Sequence, residues 1–257
     1  INLLTQKDQL QLLSFYDTLT PAQQENLLAQ IEGIDWSLLD VLKTHETVNA
    51  RGTFAPLSAM ELSQIDANRA HLEEVGLQAI REGKVAAVLL AGGQGTRLGF
   101  DKPKGMYNIG VTRELYIFEC LINNVMEVVK KAGAWIPFYI MTSDKNYDDT
   151  TAFLKEKNYF GYNAEYIHFF KQEMAPSVDY NGKLLMEAPD RLSLSPNGNG
   201  GWFSSLCRYG YDKQMKEAGV EWLTAFAVDN VLQRINDPAF VGAVIDSGCD
   251  CGGMVVR

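Results

Sequence analysis

Residues Val85 to Leu90 form an unbroken apolar run of strand length that ends in Ala91-Gly92-Gly93-Gln94-Gly95-Thr96-Arg97-Leu98-Gly99, with Lys102-Pro103-Lys104-Gly105 close behind. An apolar run without polar alternation is the pattern of a strand buried on both faces, which calls for a parallel sheet with helices on each side. The glycines then fall at the carboxyl end of the strand, where open α/β sheets bind their ligands. Four glycines in eight positions let the backbone approach a nucleotide and aim N–H donors at phosphate oxygens, while Arg97, Lys102 and Lys104 add positive charge. The stretch reads as a triphosphate-binding loop.

Other glycine loops do not match. A P-loop ends in G-K-S/T, which is absent here. The dinucleotide fingerprint fails because one residue too many separates Gly95 from Gly99, and no acid follows a second strand to hold a ribose. A kinase glycine loop sits on a hairpin and is followed by an H-R-D loop, and neither is seen. A glycine-rich turn with incidental basic residues is the plain alternative, and the strand ahead and the three cations inside weigh against it.

From Val85 onward strands and helices alternate, with strands expected at 85–91, 137–142, 166–170 and 222–228 and helices at 114–132, 146–157 and 202–218. This is the signature of an α/β fold with a doubly wound, mixed or mostly parallel sheet. The glycine loop, Thr142-Ser143 and Val228-Asp229 all close predicted strands, which gathers them along one edge. Residues 1–84 read as a helical region. Thr20-Pro21-Ala22-Gln23 carries a capping box with Pro at the first helical position, ahead of Leu27, Leu28 and Ile31. Ser58-Ala59-Met60-Glu61 reads as a second box, opening a helix that packs through Leu62, Ile65, Leu72, Val75 and Ile80. The polar stretch 44–56 connects the helical parts. Phe118, Leu121, Ile122, Val125, Val128 and Val129 form a core stripe.

The 257 residues are 46% hydrophobic, enough for a sizeable core. No apolar run approaches membrane-spanning length and no basic-then-apolar leader opens the chain, so the expectation is a soluble, cytoplasmic enzyme with no membrane partner. Cys120, Cys207, Cys249 and Cys251 show no zinc spacing and are expected as reduced thiols. A net charge of −9 argues against a nucleic-acid surface. A triphosphate must then meet cations gathered locally, as residues 97–104 gather them. His45, His71 and His168 show no metal spacing, and Ser143 and Ser195 lack a G-x-S-x-G elbow, so none of them is assigned chemistry.

Asp229 follows the strand 222–228 and should emerge at the ligand edge. There it serves either as a carboxylate for nucleotide-bound magnesium or as a cap for the next turn or helix. For Asn197-Gly198-Asn199-Gly200-Gly201 composition alone leaves a mere turn as the lesser alternative to a functional loop.

The ordered motifs L-A-G-G-Q-G-T-R-L-G with P-K-G-M-Y, Met141-Thr142-Ser143, Phe170-Lys171-Gln172-Glu173-Met174, Pro196 to Gly201, Val228-Asp229-Asn230 and Asp250-Cys251-Gly252 span residues 90–252. Together they resemble the eukaryotic-type UDP-N-acetylglucosamine pyrophosphorylases of the UDP-sugar pyrophosphorylase group. The UDP-glucose pyrophosphorylases proper are less similar, since their loop reads more like N-G-G-L-G-T. The chain departs from the commoner pattern at Asn197, where Asp is usual, and at Gly253, where Ala is usual.

The resemblance implies a fold of the nucleotide-diphospho-sugar transferase type, with 85–257 as the nucleotidyltransferase domain. It further implies a uridylyltransferase that joins UTP to N-acetylglucosamine 1-phosphate with Mg2+ as cofactor, the alternative being glucose 1-phosphate or a broad sugar range. Leu90, Ala91, Gly92 and Gly93 would contact base and ribose through their backbone, and Gln172 would read the uracil edge. Gly198 would lie against the uracil and Asn199 would bind the sugar. Lys104 would bind UTP and, with Arg97, neutralise phosphate charge, and Asp229 would hold nucleotide and metal. Without the resemblance Gln172 is an ordinary surface glutamine. Family members are longer, so the chain is expected to be incomplete at its C-terminal side, with further sugar and phosphate contacts lying beyond it. A nicotinamide dehydrogenase and a non-catalytic nucleotide-sugar binder are the rival readings from other classes.

Overall fold

The computed structural model describes residues 1–37, 39, 53 and 59–255. His45, Ser58 and, apart from Thr53, the connector 44–56 lie outside the described residues. In chain order the elements are α1 (Asn2–Gln6), α2 (Pro21–Glu32), α3 (Leu62–Arg81), β1 (Val85–Leu90), α4 (Ile117–Ala132), β2 (Phe138–Thr142), α5 (Tyr147–Glu156) and β3 (Ile167–Lys171). There follow β4 (Met174–Pro176), β5 (Met186–Ala188), β6 (Arg191–Leu192), β7 (Leu194–Pro196), α6 (Trp202–Arg208), α7 (Tyr211–Glu217), β8 (Trp222–Ala227) and α8 (Pro238–Asp246).

The chain forms two compact units, Ile1–Leu57 with Met174–Asn197, and Ser58–Glu173 with Gly198–Arg257. They cross the 84/85 boundary drawn from the sequence, because α3 packs with the sheet unit and residues 174–197 return to the N-terminal segment. In the first unit, Thr20 caps α2 and its backbone N–H is accepted by Gln23 Oε1 at 3.1 Å, with Pro21 in the first turn, as the box predicts. Leu27 and Ile31 bury against Leu184 and Leu192 from the segment of short strands, whereas Leu28 is exposed. Gln30 fastens this packing, donating to the Asp190 carbonyl and accepting the Leu192 N–H.

In the second unit β3, β2, β1 and β8 lie in that order, all parallel. Side chains of β1 alternate between two cores. Val85, Ala87 and Leu89 face one built with the α4 stripe, Phe153 and Leu154 of α5, and Leu77 and Ile80 of α3. Ala86 and Val88 face another with Tyr139, Met141, Phe170, Leu206 of α6 and Met215 of α7. Both faces of the sheet are therefore covered, which is why β1 carries no polar residue. All six residues of the α4 stripe are buried.

Two helix expectations change. Helix α3 starts at Leu62 with Glu61 at its cap, its N–H accepted by Gln64 Oε1 at 2.8 Å. Leu62 is exposed and Ile65 and Val75 are half-buried, while Leu72, Leu77, Ala79 and Ile80 are buried, so only the later turns pack. The helix expected at 202–218 is two, α6 and α7, parted at Gly210, whose φ of 74° is a left-handed conformation that ends the first and starts the second.

Helices α3 and α8 cross at Gly76 and Gly242. A methyl group on Gly242 would fall on the carbonyl oxygen of Leu72, and one on Gly76 on that of Pro238. Gly242→Ala is therefore expected to destabilise the protein by about 1–3 kcal/mol, the usual cost of forced overpacking, because backbone offers no rotamer to yield. Urea unfolding checks it, and an unchanged midpoint would mean the helices are not in this contact.

Candidate active site

The glycine loop leaves β1 held at both sides. The Ala91 N–H donates to Met141 O at 2.9 Å, Lys104 N–H to Gly93 O at 3.3 Å and Gly95 N–H to Lys102 O at 2.9 Å, which closes the loop across Gln94 and Pro103. The excursion between them holds a 3-10 turn, Thr96–Leu98, with Arg97 exposed on it. Beneath the loop lies Asn146, completely buried, which accepts the Ser143 N–H and donates to the carbonyls of Ala91 and Gly93. The sequence reading missed this residue, since an Asn opening a helix reads as a cap.

Gln172 follows β3, its N–H donating to Thr142 O at 2.7 Å. Its side chain is buried, not on the surface as residue type alone suggests, because its amide packs over Gly92, where even a methyl group would collide with it. The absence of a side chain at Gly92 thus lets the amide of Gln172, with one donor and one acceptor face, settle on the glycine loop. The next residue ties in the second glycine loop: Glu173 N–H donates to Ser205 Oγ at 3.0 Å, and that hydroxyl donates to Gly201 O at 2.8 Å. Gly198 takes a φ of 76°, and Asn199 opens a 3-10 turn, Asn199–Gly201, that runs into α6. Ser205, buried and spanning these segments, was also not legible in the sequence.

Lys104, in the 3-10 turn Lys104–Met106, forms an ion pair with Asp229. Strands β1 and β8 run in register with Leu90 beside Ala227, and the Val228 N–H donates to Leu90 O at 3.1 Å, so Asp229 emerges next to the loop's base. Asp229 does not cap the following helix. Asp237 does, accepting the Ala239 N–H at 2.8 Å. Two neighbouring cations are likewise paired, Lys102 with Asp149 at 3.0 Å and Lys171 with Asp144 at 3.0 Å. The Asp144 hydrogen bond raises the Lys171 pKa, which keeps it charged. The three cations of the loop are therefore not equivalent: Lys102 is engaged by α5, Lys104 by Asp229, and Arg97 has no ion pair among the described residues. His71 pairs with exposed Asp246, and burial lowers the pKa of His168, which stacks on Tyr139. Neither is beside the loop. Among the described residues the four cysteines are unpaired and no helix is long and apolar enough to cross a membrane.

The edge of the sheet thus brings together Leu90 to Gly93, Gln172 and the Lys104–Asp229 pair, with the Gly198–Asn199 loop fastened to Glu173. The chain matches the family described as UTP--glucose-1-phosphate uridylyltransferase over residues 27–257. It belongs to this family. It is 34% identical over 269 residues to UDP-N-acetylhexosamine pyrophosphorylase-like protein 1 of Mus musculus, covering 96% of this chain and 52% of the mouse protein. It is also 34% identical over 274 residues to the UDP-N-acetylglucosamine pyrophosphorylase of Saccharomyces cerevisiae, covering 99% of this chain and 57% of the yeast protein. The crystal structure of the uridine diphosphate N-acetylglucosamine pyrophosphorylase from Trypanosoma brucei in complex with inhibitor superposes with a TM-score of 0.79 at 29% identity, covering 95% of this chain and 53% of that one. The chain spans about half the length of the curated relatives it matches. Family membership sets aside the dehydrogenase reading.

Proposed function

We propose that this chain carries the nucleotide half of a uridylyltransferase that joins UTP to N-acetylglucosamine 1-phosphate, releasing pyrophosphate. The observation that carries the reading is the Lys104–Asp229 pair at the mouth of the glycine loop, a cation and an anion set side by side where the backbone of Gly92 and Gly93 and the amide of Gln172 converge. The choice of sugar is supported by the name of the yeast relative, the mouse relative's name giving the broader N-acetylhexosamine, and glucose 1-phosphate is the second reading, supported by the family's description.

The chemistry needs little from side chains beyond charge and position. A phosphate monoester has its second pKa near 6, so the sugar phosphate is largely ionised at neutral pH and no histidine base is required. Its oxygen attacks the α-phosphorus in line, and the bond to the oxygen bridging the α- and β-phosphates breaks as pyrophosphate leaves. Lys104 holds a phosphate oxygen, and Arg97, without an ion pair among the described residues, neutralises charge on the departing pyrophosphate. Gln172 reads the uracil edge with its donor and acceptor, while Gly198 lies against the ring and Asn199 holds the sugar.

Mg2+ fits the donor set. Among the described residues no group of three His, Cys, Asp or Glu side chains is placed to hold a metal, and magnesium that arrives with a nucleotide needs only one or two protein carboxylates beside the phosphate oxygens. Asp229 would supply that carboxylate, and the ion when bound would offset phosphate charge.

A coupled pyrophosphate-release assay on the full-length protein tests the reading with three substrates, the 1-phosphates of N-acetylglucosamine, glucose and galactose. Fastest release is expected with UTP and N-acetylglucosamine 1-phosphate. Absence of UTP-dependent release with all three would overturn it.

A further inference from the structure

Asn146 stands where β2 gives way to α5, with none of its surface exposed. Its Oδ1 accepts the Ser143 N–H at 2.7 Å, and its Nδ2 donates to Ala91 O at 3.0 Å and Gly93 O at 3.4 Å. A backbone donor on one side and two backbone acceptors on the other fix which amide atom is which. Only a carboxamide of this length meets both demands. A carboxylate of the same shape would press oxygen against two carbonyl oxygens, and a shorter side chain would not reach from Ser143 to the loop.

In a trans peptide the carbonyl and the N–H point in opposite directions, and no peptide among the described residues is cis. With the carbonyls of Ala91 and Gly93 turned onto Asn146, the N–H groups of Gly92 and Gln94 face the other way. Neither has an acceptor among the described residues. They are two such donors, two positions apart, in the stretch read as the UTP site.

We propose that Asn146 is a positioning residue for the nucleotide: it holds the 91–92 and 93–94 peptides in the one orientation that offers the Gly92 and Gln94 N–H groups to UTP. The inference rests on the reading of this loop as a UTP site. Without the Asn146 amide the buried Ala91 carbonyl loses its side-chain donor and the Gly93 carbonyl is left with the Lys104 N–H alone, and rotating toward another partner carries the opposite N–H groups away from the ligand.

The test is UTP binding by calorimetry to the full-length protein and to its Asn146→Asp and Asn146→Ala variants. Asp keeps an oxygen for the Ser143 N–H but removes the amide donor to both carbonyls, and Ala removes the donor without burying a charge. Displacing a binding loop by a fraction of an ångström or more is expected to raise the Kd for UTP about tenfold to a hundredfold. The KM for sugar 1-phosphate at saturating UTP should stay within about twofold, because that substrate does not meet these peptides. A merely structural role would lower the unfolding temperature and leave the Kd unmoved well below it. A folded variant with UTP affinity within about twofold of the parent overturns the proposal. Hydrogen exchange on the parent, read by NMR, decides the matter if neither variant folds. The Gly92 and Gln94 amides should exchange fast in the free protein and be protected by UTP, and protection already present without UTP overturns the proposal. If the parent itself binds no UTP, the reading of the loop has failed, which is seen before any variant is compared.

Discussion

Replacing Lys104 by alanine is expected to cut pyrophosphate release by about a hundredfold or more in the full-length protein, the scale seen when a charge aimed at the transition state is removed. Little change in stability should accompany it. The ammonium group pairs with Asp229, but that carboxylate is 57% exposed, and ion pairs open to water contribute only about 0–1 kcal/mol to folding. A lysine whose stem is largely covered and whose partner is solvated therefore has more to lose in chemistry than in structure. Lys104→Arg keeps the charge but exchanges a compact ammonium for a planar fork, so it should recover turnover only in part. Steady-state rates with saturating Mg2+ and UTP, alongside a thermal melt, make the comparison. Turnover of the alanine variant within about threefold of the parent would remove Lys104 from the catalytic machinery.

Much of the α/β unit was legible because its signals are local. The strands 85–91, 137–142, 166–170 and 222–228 were expected and the observed ones differ by a residue or so at their ends, since buried parallel strands declare themselves by apolar runs of the right length. The placement of the glycine loop, Thr142 and Asp229 at strand ends followed from those runs. What the sequence did not show was set by contacts between distant residues. Strands β4 to β7 are two or three residues long, too short for any alternation to register, and they exist because Leu184 and Leu192 bury against α2. Gly76 and Gly242 carry no sequence signal of their own, since their role appears only where a methyl group on each would fall on a backbone carbonyl of the facing helix. The single helix expected at 202–218 breaks at Gly210, because residue order does not disclose the left-handed φ that one glycine adopts.

The site divides along the same line. Gly92, Lys104 and Asp229 lie in motifs with a chemical reason, whereas Gln172 was only a glutamine until the resemblance singled it out, and the structure lays it on Gly92. Asn146 and Ser205 escaped notice because each bonds to backbone, and backbone partners leave no trace in residue type.

Asp229→Asn is the second change with a large expected effect, and its two arms have opposite signs. Asn keeps the shape but removes the charge a hard cation demands, so the Mg2+ concentration for half-maximal turnover should rise about tenfold or more, the order of one lost charge-assisted contact. Metal-free UTP should behave otherwise. Its triphosphate carries several negative charges, and the carboxylate of Asp229 both repels them and occupies Lys104. Removing it frees the ammonium and lowers the repulsion, so UTP without Mg2+ should bind the variant at least as tightly as the parent, an effect that fades as salt screens the exposed carboxylate. A carboxylate serving only to hold Lys104 in place would weaken both forms of the ligand alike. Calorimetric titrations of UTP with and without Mg2+, on parent and variant, separate the two. An unchanged Mg2+ titration in a folded variant would reduce Asp229 to a structural partner of Lys104. Opposite shifts would make the pair a split site, with the lysine assigned to phosphate and the aspartate to the metal that arrives with it.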